Sequence, residues 1–264
     1  MVVRLYLGAV GLVGLEKIIQ KFWDKNQNLI KTNFPNERSI QEYLLPALKH
    51  FKDSANGIQL DRDREIHTLI DELFALDSPD LTICRPKLLC PISSVEDKGR
   101  FYRIDEKFTA AVQNVFSPNE LELHFSILPM YVYFLALSRT NPLLAGELKN
   151  LTNIVLSWSA VLEQLSKLFP SSKIVVWDME GGELILDEML SSLFEFDVDD
   201  CRIIWPNQFD KVRQSKFEIM PSEWQERHDE EYDRDLFKLA TVNNITVMTR
   251  VAIEFPSSMG KGGQ

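Results

Sequence analysis

Three glycines follow the first apolar run of the chain, at a place where a phosphate group could be bound. Gly8, Gly11 and Gly14 lie between the apolar run 2–7 and a helical pattern that begins at Leu15. Glycines there let backbone N–H groups approach an anion, and the start of a helix adds a favourable dipole. We predict that these glycines cradle a phosphate-bearing ligand. The alternative is that they only allow the first helix to pack close to the sheet.

The same loop lacks the side chains that usually hold phosphate. A Walker loop ends in Gly-Lys-Ser or Gly-Lys-Thr, which supply an ammonium and a hydroxyl. This chain has Gly14-Leu15-Glu16 instead. The carboxylate of Glu16 repels an anion, whereas the backbone N–H groups and the helix dipole attract one. Phosphate binding by this loop would therefore depend on its backbone.

A candidate general base lies in the middle of the chain. Glu96 follows Ser93 and Ser94 closely, after a short apolar run at 88–92. A carboxylate at the mouth of a sheet can accept the proton of a hydroxyl that acts as a nucleophile. The alternative is that Glu96 caps a helix or turn, as Ser and Glu often do.

The histidines and cysteines show no catalytic or metal-binding pattern. His50 and His67 fall on predicted helices, His124 falls on a predicted strand, and His228 falls in a charged loop. The three cysteines match neither a zinc site nor a disulfide framework, which favours a reducing compartment. We predict no metal site.

An acidic segment stands out between residues 178 and 200. It contains nine carboxylates and no Lys or Arg. A divalent cation held by Asp197, Asp199 and Asp200 is one interpretation, because hard cations prefer several oxygen ligands. The spacing lacks the glycine and the distal glutamate of a calcium loop, which favours a solvated acidic face that could meet a basic protein partner.

Strands and helices alternate along the chain, which predicts an α/β fold with a mostly parallel sheet covered by helices on both faces. We expect a single domain over 1–256 and a flexible tail over 257–264. The predicted strands are 2–7, 88–92, 121–127, 173–177 and 245–248. One predicted helix starts at Leu15 and a second at Ser39, which is its possible N-cap. The other predicted helices cover 61–76, 105–116, 151–169, 183–194 and 229–240.

Composition narrows the class of protein. A net charge of −10 argues against binding to duplex nucleic acid, which needs an excess of Lys and Arg on some face. Arg4 and the apolar run 5–15 could pass for a secretory signal, but no small-residue cleavage site follows and the run is too short to span a bilayer. We expect a cytoplasmic protein that does not bind membranes.

Several stretches resemble one family, in order along the chain. They are Tyr6-Leu7-Gly8-Ala9, Ile92-Ser93-Ser94-Val95-Glu96, 116–127, Leu156-Ser157-Trp158, Val176-Trp177-Asp178-Met179-Glu180, Tyr232-Asp233-Arg234-Asp235-Leu236 and Ile245-Thr246-Val247. With these stretches the chain resembles the bacterial sulfotransferase-like proteins. The resemblance implies a three-layer fold of the P-loop NTPase and sulfotransferase type.

The resemblance also implies a reaction and a donor. The family transfers a sulfuryl group from 3′-phosphoadenosine 5′-phosphosulfate to a hydroxyl, here on a small molecule or a glycan. In this hypothesis the donor-binding residues are Gly8, Gly11, Gly14, Ser93 and Ser94, with Ser138 and Arg139 as substitutes for two missing family residues, and the base is Glu96.

The chain departs from the family at its phosphate contacts. The Lys and Thr of the family's loop are absent, and its phosphate-binding Arg and Ser would fall at Leu128 and Ala136. Ser138 and Arg139 are the nearest substitutes. The second hypothesis is therefore a non-catalytic descendant that acts as a binding or assembly module through its acidic face.

Overall fold

The computed structural model of the chain describes five strands and the helices that connect them. It covers residues 2–8, 15–28, 30, 32–35, 37–53, 64, 66, 68, 80–85, 104–117, 119–129, 132, 157–196 and 222–249. The strands are β1 (Val2–Tyr6), β2 (Leu81–Cys84), β3 (Glu120–Ile127), β4 (Lys173–Asp178) and β5 (Ile245–Met248). The helices are α1 (Leu15–Asn26), α2 (Glu37–Ser39, a π-helical turn Ile40–Leu44, and Leu45–Asp53), α3 (Glu106–Phe116), α4 (Trp158–Leu168), α5 (Glu183–Phe194) and α6 (Ser222–Leu239).

The five strands form one parallel sheet in the order β2-β1-β3-β4-β5. Leu5 in β1 lies opposite Ile83 in β2 on one side and Leu123 in β3 on the other. All of these side chains are buried, as expected for the centre of a parallel sheet. The predicted α/β fold with a parallel sheet is confirmed.

The two faces of the sheet differ in polarity. Alternate residues of β3 share a face, so that Leu121, Leu123, Phe125 and Ile127 lie on one face and Glu122, His124 and Ser126 on the other. Helix α5 packs over the second, polar face: Ser126 contacts the sulfur of Met189, and the Thr82 hydroxyl donates to the carbonyl of Leu193. The polar face is therefore part of the core, and the Ser126 and Thr82 side chains connect its strands to α5.

A buried arginine joins four elements at the amino-terminal edge of this face. Arg4 is 7% exposed, and its guanidinium pairs with Asp80 (3.1 Å), Glu122 (3.3 Å) and Glu195. Lys173 pairs with Glu122 from the next strand at 3.1 Å. A buried guanidinium needs such partners, because an isolated charge in the interior is very unfavourable.

Side chains fix the starts of two helices. Asp105 accepts the backbone N–H groups of Lys107 and Phe108, which begins α3. Ser157 accepts the N–H of Ala160, and Asp235 accepts the N–H of Trp158, which begins α4. These side chains satisfy backbone donors that have no partner inside the helix.

Several predicted elements agree with the structure. The helix at 183–194 and the strand at 245–248 have the predicted bounds, and the helix at 105–116 and the strands at 121–127 and 173–177 differ from the structure by one residue at one end. Residues 64, 66 and 68, which are the described part of the predicted helix 61–76, are helical.

Other boundaries were wrong. Ser39 is not an N-cap: it is helical itself and its side chain makes no capping bond, because α2 has already begun at Glu37. Helix α6 begins at Ser222, so that His228 lies on a buried helical face and not in a loop. Strand β2 was missed. The predicted strand 88–92, the start of the predicted helix 151–169 and the predicted tail 257–264 lie outside the described residues.

Candidate functional site

The order in which the chain adds strands reverses at β1, and this reversal defines where a ligand would bind. From β1 the chain first adds β2 on one side and then β3 on the other. In open parallel sheets of this order, ligands bind beyond the carboxyl ends of the strands at this switch point. The candidate site is therefore the carboxyl edge, formed by the residues that end or follow β1 to β5.

Gly8 is the described member of the glycine loop, and the fold itself requires a glycine there. Its φ is +38°, a region that favours glycine. A Cβ at this position would lie 2.8 Å from the Tyr6 ring and 2.9 Å from its hydroxyl. That ring is buried, and its hydroxyl donates to Ser126 Oγ at 2.9 Å. Gly8 thus allows the chain to turn directly over the Tyr6 side chain.

Arg85 adds a cation to this edge, and sequence reasoning missed it. It follows β2 directly, and its backbone N–H donates to the carbonyl of Tyr6 at 2.9 Å. Arg85 is therefore a neighbour of Tyr6, the last residue of β1, and Gly8 follows Tyr6 by two residues. The signal in the sequence was an arginine at the end of the short alternating run Leu81–Cys84.

The end of β3 offers no charged side chain. Leu128, at the position that the resemblance assigns to a phosphate-binding arginine, is 3% exposed. Its carbonyl accepts the indole N–H of Trp158 at 2.8 Å. This position therefore contributes to the core, and the contact that the family would make there is absent.

The end of β4 holds a buried carboxylate whose partners are all structural. Asp178 is 1% exposed; one oxygen accepts from the Tyr232 hydroxyl (2.7 Å) and the Glu180 N–H (3.0 Å), and the other from the Thr249 hydroxyl (2.7 Å). The prediction of one solvated acidic face was therefore wrong for Asp178. It agrees with Glu195, whose side chain is 41% exposed while it pairs with Arg4. Asp197, Asp199 and Asp200 lie outside the described residues.

Negative charge is concentrated on the β4 side of the edge. Burial and then the neighbouring carboxylates of Asp229 and Asp178 raise the pKa of Asp233 on α6. Burial and then the carboxylate of Glu183 raise the pKa of Asp187 on α5. Carboxylates that disfavour one another in this way also disfavour an anionic ligand. An anion would therefore be bound near β1 and β2, beside Arg85, and not near β4.

Most of the predicted site residues lie outside the described part of the chain. These are Gly11, Gly14, Ser93, Ser94, Glu96, Ser138 and Arg139. Their roles stay predictions. Among the described residues, no group of three His, Cys, Asp or Glu side chains could hold a metal ion. Of the three cysteines, Cys84 is the one that the structure describes.

Comparison with known proteins adds a distant structural likeness. No family model matches the chain, and no curated protein matches it. The chain is similar to a solved chain from the PezAT chromosomal toxin-antitoxin system of the human pathogen Streptococcus pneumoniae, with 14% identity over 87% of this chain and 86% of that chain and a TM-score of 0.33. A likeness this loose carries no argument about function, and the fold assignment rests on the sheet itself. Within the described ranges, no helix combines the length and the apolar character needed to cross a membrane.

Proposed function

We propose that the protein binds a phosphorylated nucleotide at the carboxyl edge of its sheet, and that this nucleotide is 3′-phosphoadenosine 5′-phosphosulfate. The observation that supports the proposal most directly is the geometry at the end of β1. There the switch point of the sheet, the left-handed Gly8 and Arg85 come together. The resemblance to sulfotransferase-like proteins supplies the identity of the donor.

The proposed reaction is sulfuryl transfer to a hydroxyl of a small molecule or a glycan. The acceptor oxygen forms a bond to sulfur while the bond from sulfur to the phosphate oxygen breaks, and 3′-phosphoadenosine 5′-phosphate leaves. Glu96 takes the proton of the hydroxyl. The backbone N–H groups of the glycine loop and Arg85 stabilise the negative charge that develops on the leaving phosphate.

The missing family contacts set an expectation for affinity. Each charge-assisted hydrogen bond contributes about 1.5–3 kcal/mol, and micromolar binding amounts to about 8 kcal/mol in total. With Leu128 buried in place of an arginine, we expect binding weaker than micromolar. We place the dissociation constant at about 0.1–1 mM.

A calorimetric titration of the full chain with 3′-phosphoadenosine 5′-phosphate tests the proposal. We expect saturable heat, which Gly14→Glu abolishes by placing a carboxylate at the helix start and which Arg85→Gln weakens. Lys173→Gln is the matched control, because it removes the same charge at the amino-terminal edge of the sheet. Absence of heat at millimolar nucleotide contradicts the proposal, and so does an equal effect of Arg85→Gln and Lys173→Gln.

The second candidate function is a non-catalytic binding or assembly module. The buried Leu128 favours it, because it stands where the family has a phosphate-binding arginine and the described residues of β3 offer no positively charged substitute. In that case the titration gives no heat. The exposed acidic side chains of α5 and α6 would then be the surface for a basic protein partner.

A further inference from the structure

The first half of α6 extends beyond the carboxyl edge of the sheet. Tyr232 is level with that edge, since its hydroxyl contacts the carbonyl of Ile127 at 3.4 Å and the carboxylate of Asp178. From there the chain runs back to the opposite edge, where the carbonyl of Asn244 accepts the N–H of Ile174. Residues 222–231 must therefore project past the strands, and Trp224 lies about 12 Å along the helix from Tyr232.

The projecting half keeps the same buried face as the half that packs on the sheet. Trp224, His228 and Tyr232 follow one another at intervals of four residues, and they are 7%, 1% and 5% exposed. Residues four apart share one face of a helix. This face thus continues from the core to the region above the carboxyl edge, which is where the switch point places a ligand.

A buried donor on this face makes no hydrogen bond within the described part of the chain. The indole N–H of Trp224 makes no hydrogen bond to any described residue. A buried polar group left in this state is unfavourable by about 1–3 kcal/mol, so that it needs an acceptor. The Trp224 ring contacts the His228 ring edge-on at 4.3 Å between centroids, which holds the indole in place.

The surroundings of Trp224 suit an uncharged group. Burial lowers the pKa of His228, so that its ring is neutral at pH 7. The charges of Arg227 and Asp229 act on this ring in opposite directions. This face therefore offers no net positive charge to a phosphate, whereas the nitrogen and oxygen acceptors of an uncharged ring or sugar can accept the indole N–H.

From these observations we propose that α6 forms the second wall of the ligand site and that Trp224 donates a hydrogen bond to the uncharged nucleoside half of the bound nucleotide. This inference rests on the proposed function. Arg85 and the glycine loop hold the phosphate half at β1 and β2. The two halves of the ligand are thus bound by different parts of the edge.

Trp224→Phe tests the inference, because it removes the N–H donor and keeps an aromatic ring. We expect it to weaken binding of 3′-phosphoadenosine 5′-phosphate and of adenosine by the same factor, about three- to tenfold. Arg85→Gln should weaken the nucleotide and leave adenosine unchanged. In the proton–nitrogen NMR spectrum, the indole resonance that Trp224→Phe removes should shift when either ligand is added to the wild-type protein.

The outcomes separate the two proposals. If the wild-type protein binds neither ligand, the proposed function fails and this inference fails with it. If the nucleotide binds and Trp224→Phe changes its affinity less than twofold, or the indole resonance does not shift, only this inference is overturned. A single cooperative thermal transition of Trp224→Phe, with its midpoint well above the temperature of the titration, is the control that the variant is folded.

Discussion

Gly8→Ala is the substitution that most directly measures what the glycine loop contributes to the fold. Two structural features oppose a side chain there: the positive φ of +38° and the Tyr6 ring, which lies 2.8 Å from the position that a Cβ would occupy. The ring cannot move aside easily, because it is buried and hydrogen-bonded to Ser126. Both features should lower the free energy of unfolding.

The expected magnitude combines three terms. A left-handed backbone disfavours alanine by about 1–2 kcal/mol, and overpacking a rigid core adds about 1–3 kcal/mol. The lower entropy of the unfolded alanine chain recovers about 0.4–1 kcal/mol. We expect Gly8→Ala to lower the free energy of unfolding by about 1–4.6 kcal/mol.

Gly182→Ala is a matched control for the backbone term. Gly182 also has a positive φ, +67°, but nothing lies within 4 Å of its built Cβ. Its ψ of −138° places it in a region nearly confined to glycine, so that the backbone part is about 1–3 kcal/mol, offset by the same entropy term of about 0.4–1 kcal/mol. Any excess loss in Gly8→Ala is therefore a lower bound on the contact with Tyr6.

Urea unfolding followed by circular dichroism provides these free energies. Adding Tyr6→Leu to Gly8→Ala should recover about 1–2 kcal/mol relative to the sum of the single variants, because the ring that the new Cβ contacts is gone. Equal losses for Gly8→Ala and Gly182→Ala, together with additive double-variant energies, would refute the reasoning. Gly8 would then matter only through its backbone angle.

Three further predictions concern stability. Trp158→Phe should lower the free energy of unfolding by about 1–3 kcal/mol more than Trp224→Phe in urea, because only the Trp158 indole N–H has a hydrogen-bond acceptor; equal losses would contradict this. The His124 ring and the Lys173 ammonium hold the pKa of Glu122 at about 2. The ionised Glu122 should therefore stabilise the fold fully above pH 4.5 and lose this effect as the pH falls towards 2. In Glu122→Gln, the free energy of unfolding should depend less on pH across that range. Burial lowers the pKa of His124, so the unfolded chain protonates first and stability should fall as the pH drops below 6.5; His124→Gln should reduce this slope, and an unchanged slope would exclude His124 as its source.

The sheet was largely predictable from periodicity. Runs such as Lys173–Asp178 and Ile245–Met248 are short, apolar and rich in β-branched residues, and their order with the helices indicates a parallel sheet. Strand β2 was missed because Leu81–Cys84 is only four residues long, and the longer apolar run 88–92 competed with it. Short buried strands are defined by their neighbours in the sheet more than by their own sequence.

Long-range polar contacts could not be predicted from local patterns. The Arg4 network joins residues 4, 80, 122 and 195, and each of these looks like an ordinary surface charge in sequence. The acidic segment shows the same limit. Its members have different roles because Asp178 ends a buried strand while Glu195 ends a helix that reaches Arg4.

Motifs in the sequence predicted only the glycine loop of the candidate site, because its other residues are far away in the chain. Gly8 follows β1, Arg85 follows β2 and Trp224 belongs to α6, and only the parallel order of the sheet places all three at one edge. The positive group and the glycine turn are more than 70 residues apart in the chain, yet one hydrogen bond from the Arg85 N–H to the Tyr6 carbonyl makes their strands neighbours. A phosphate site can therefore use a cation from the next strand when its own loop has none. For this reason, loss of nucleotide binding in Arg85→Gln with retention in Lys173→Gln would be stronger evidence for a working site than the glycine spacing.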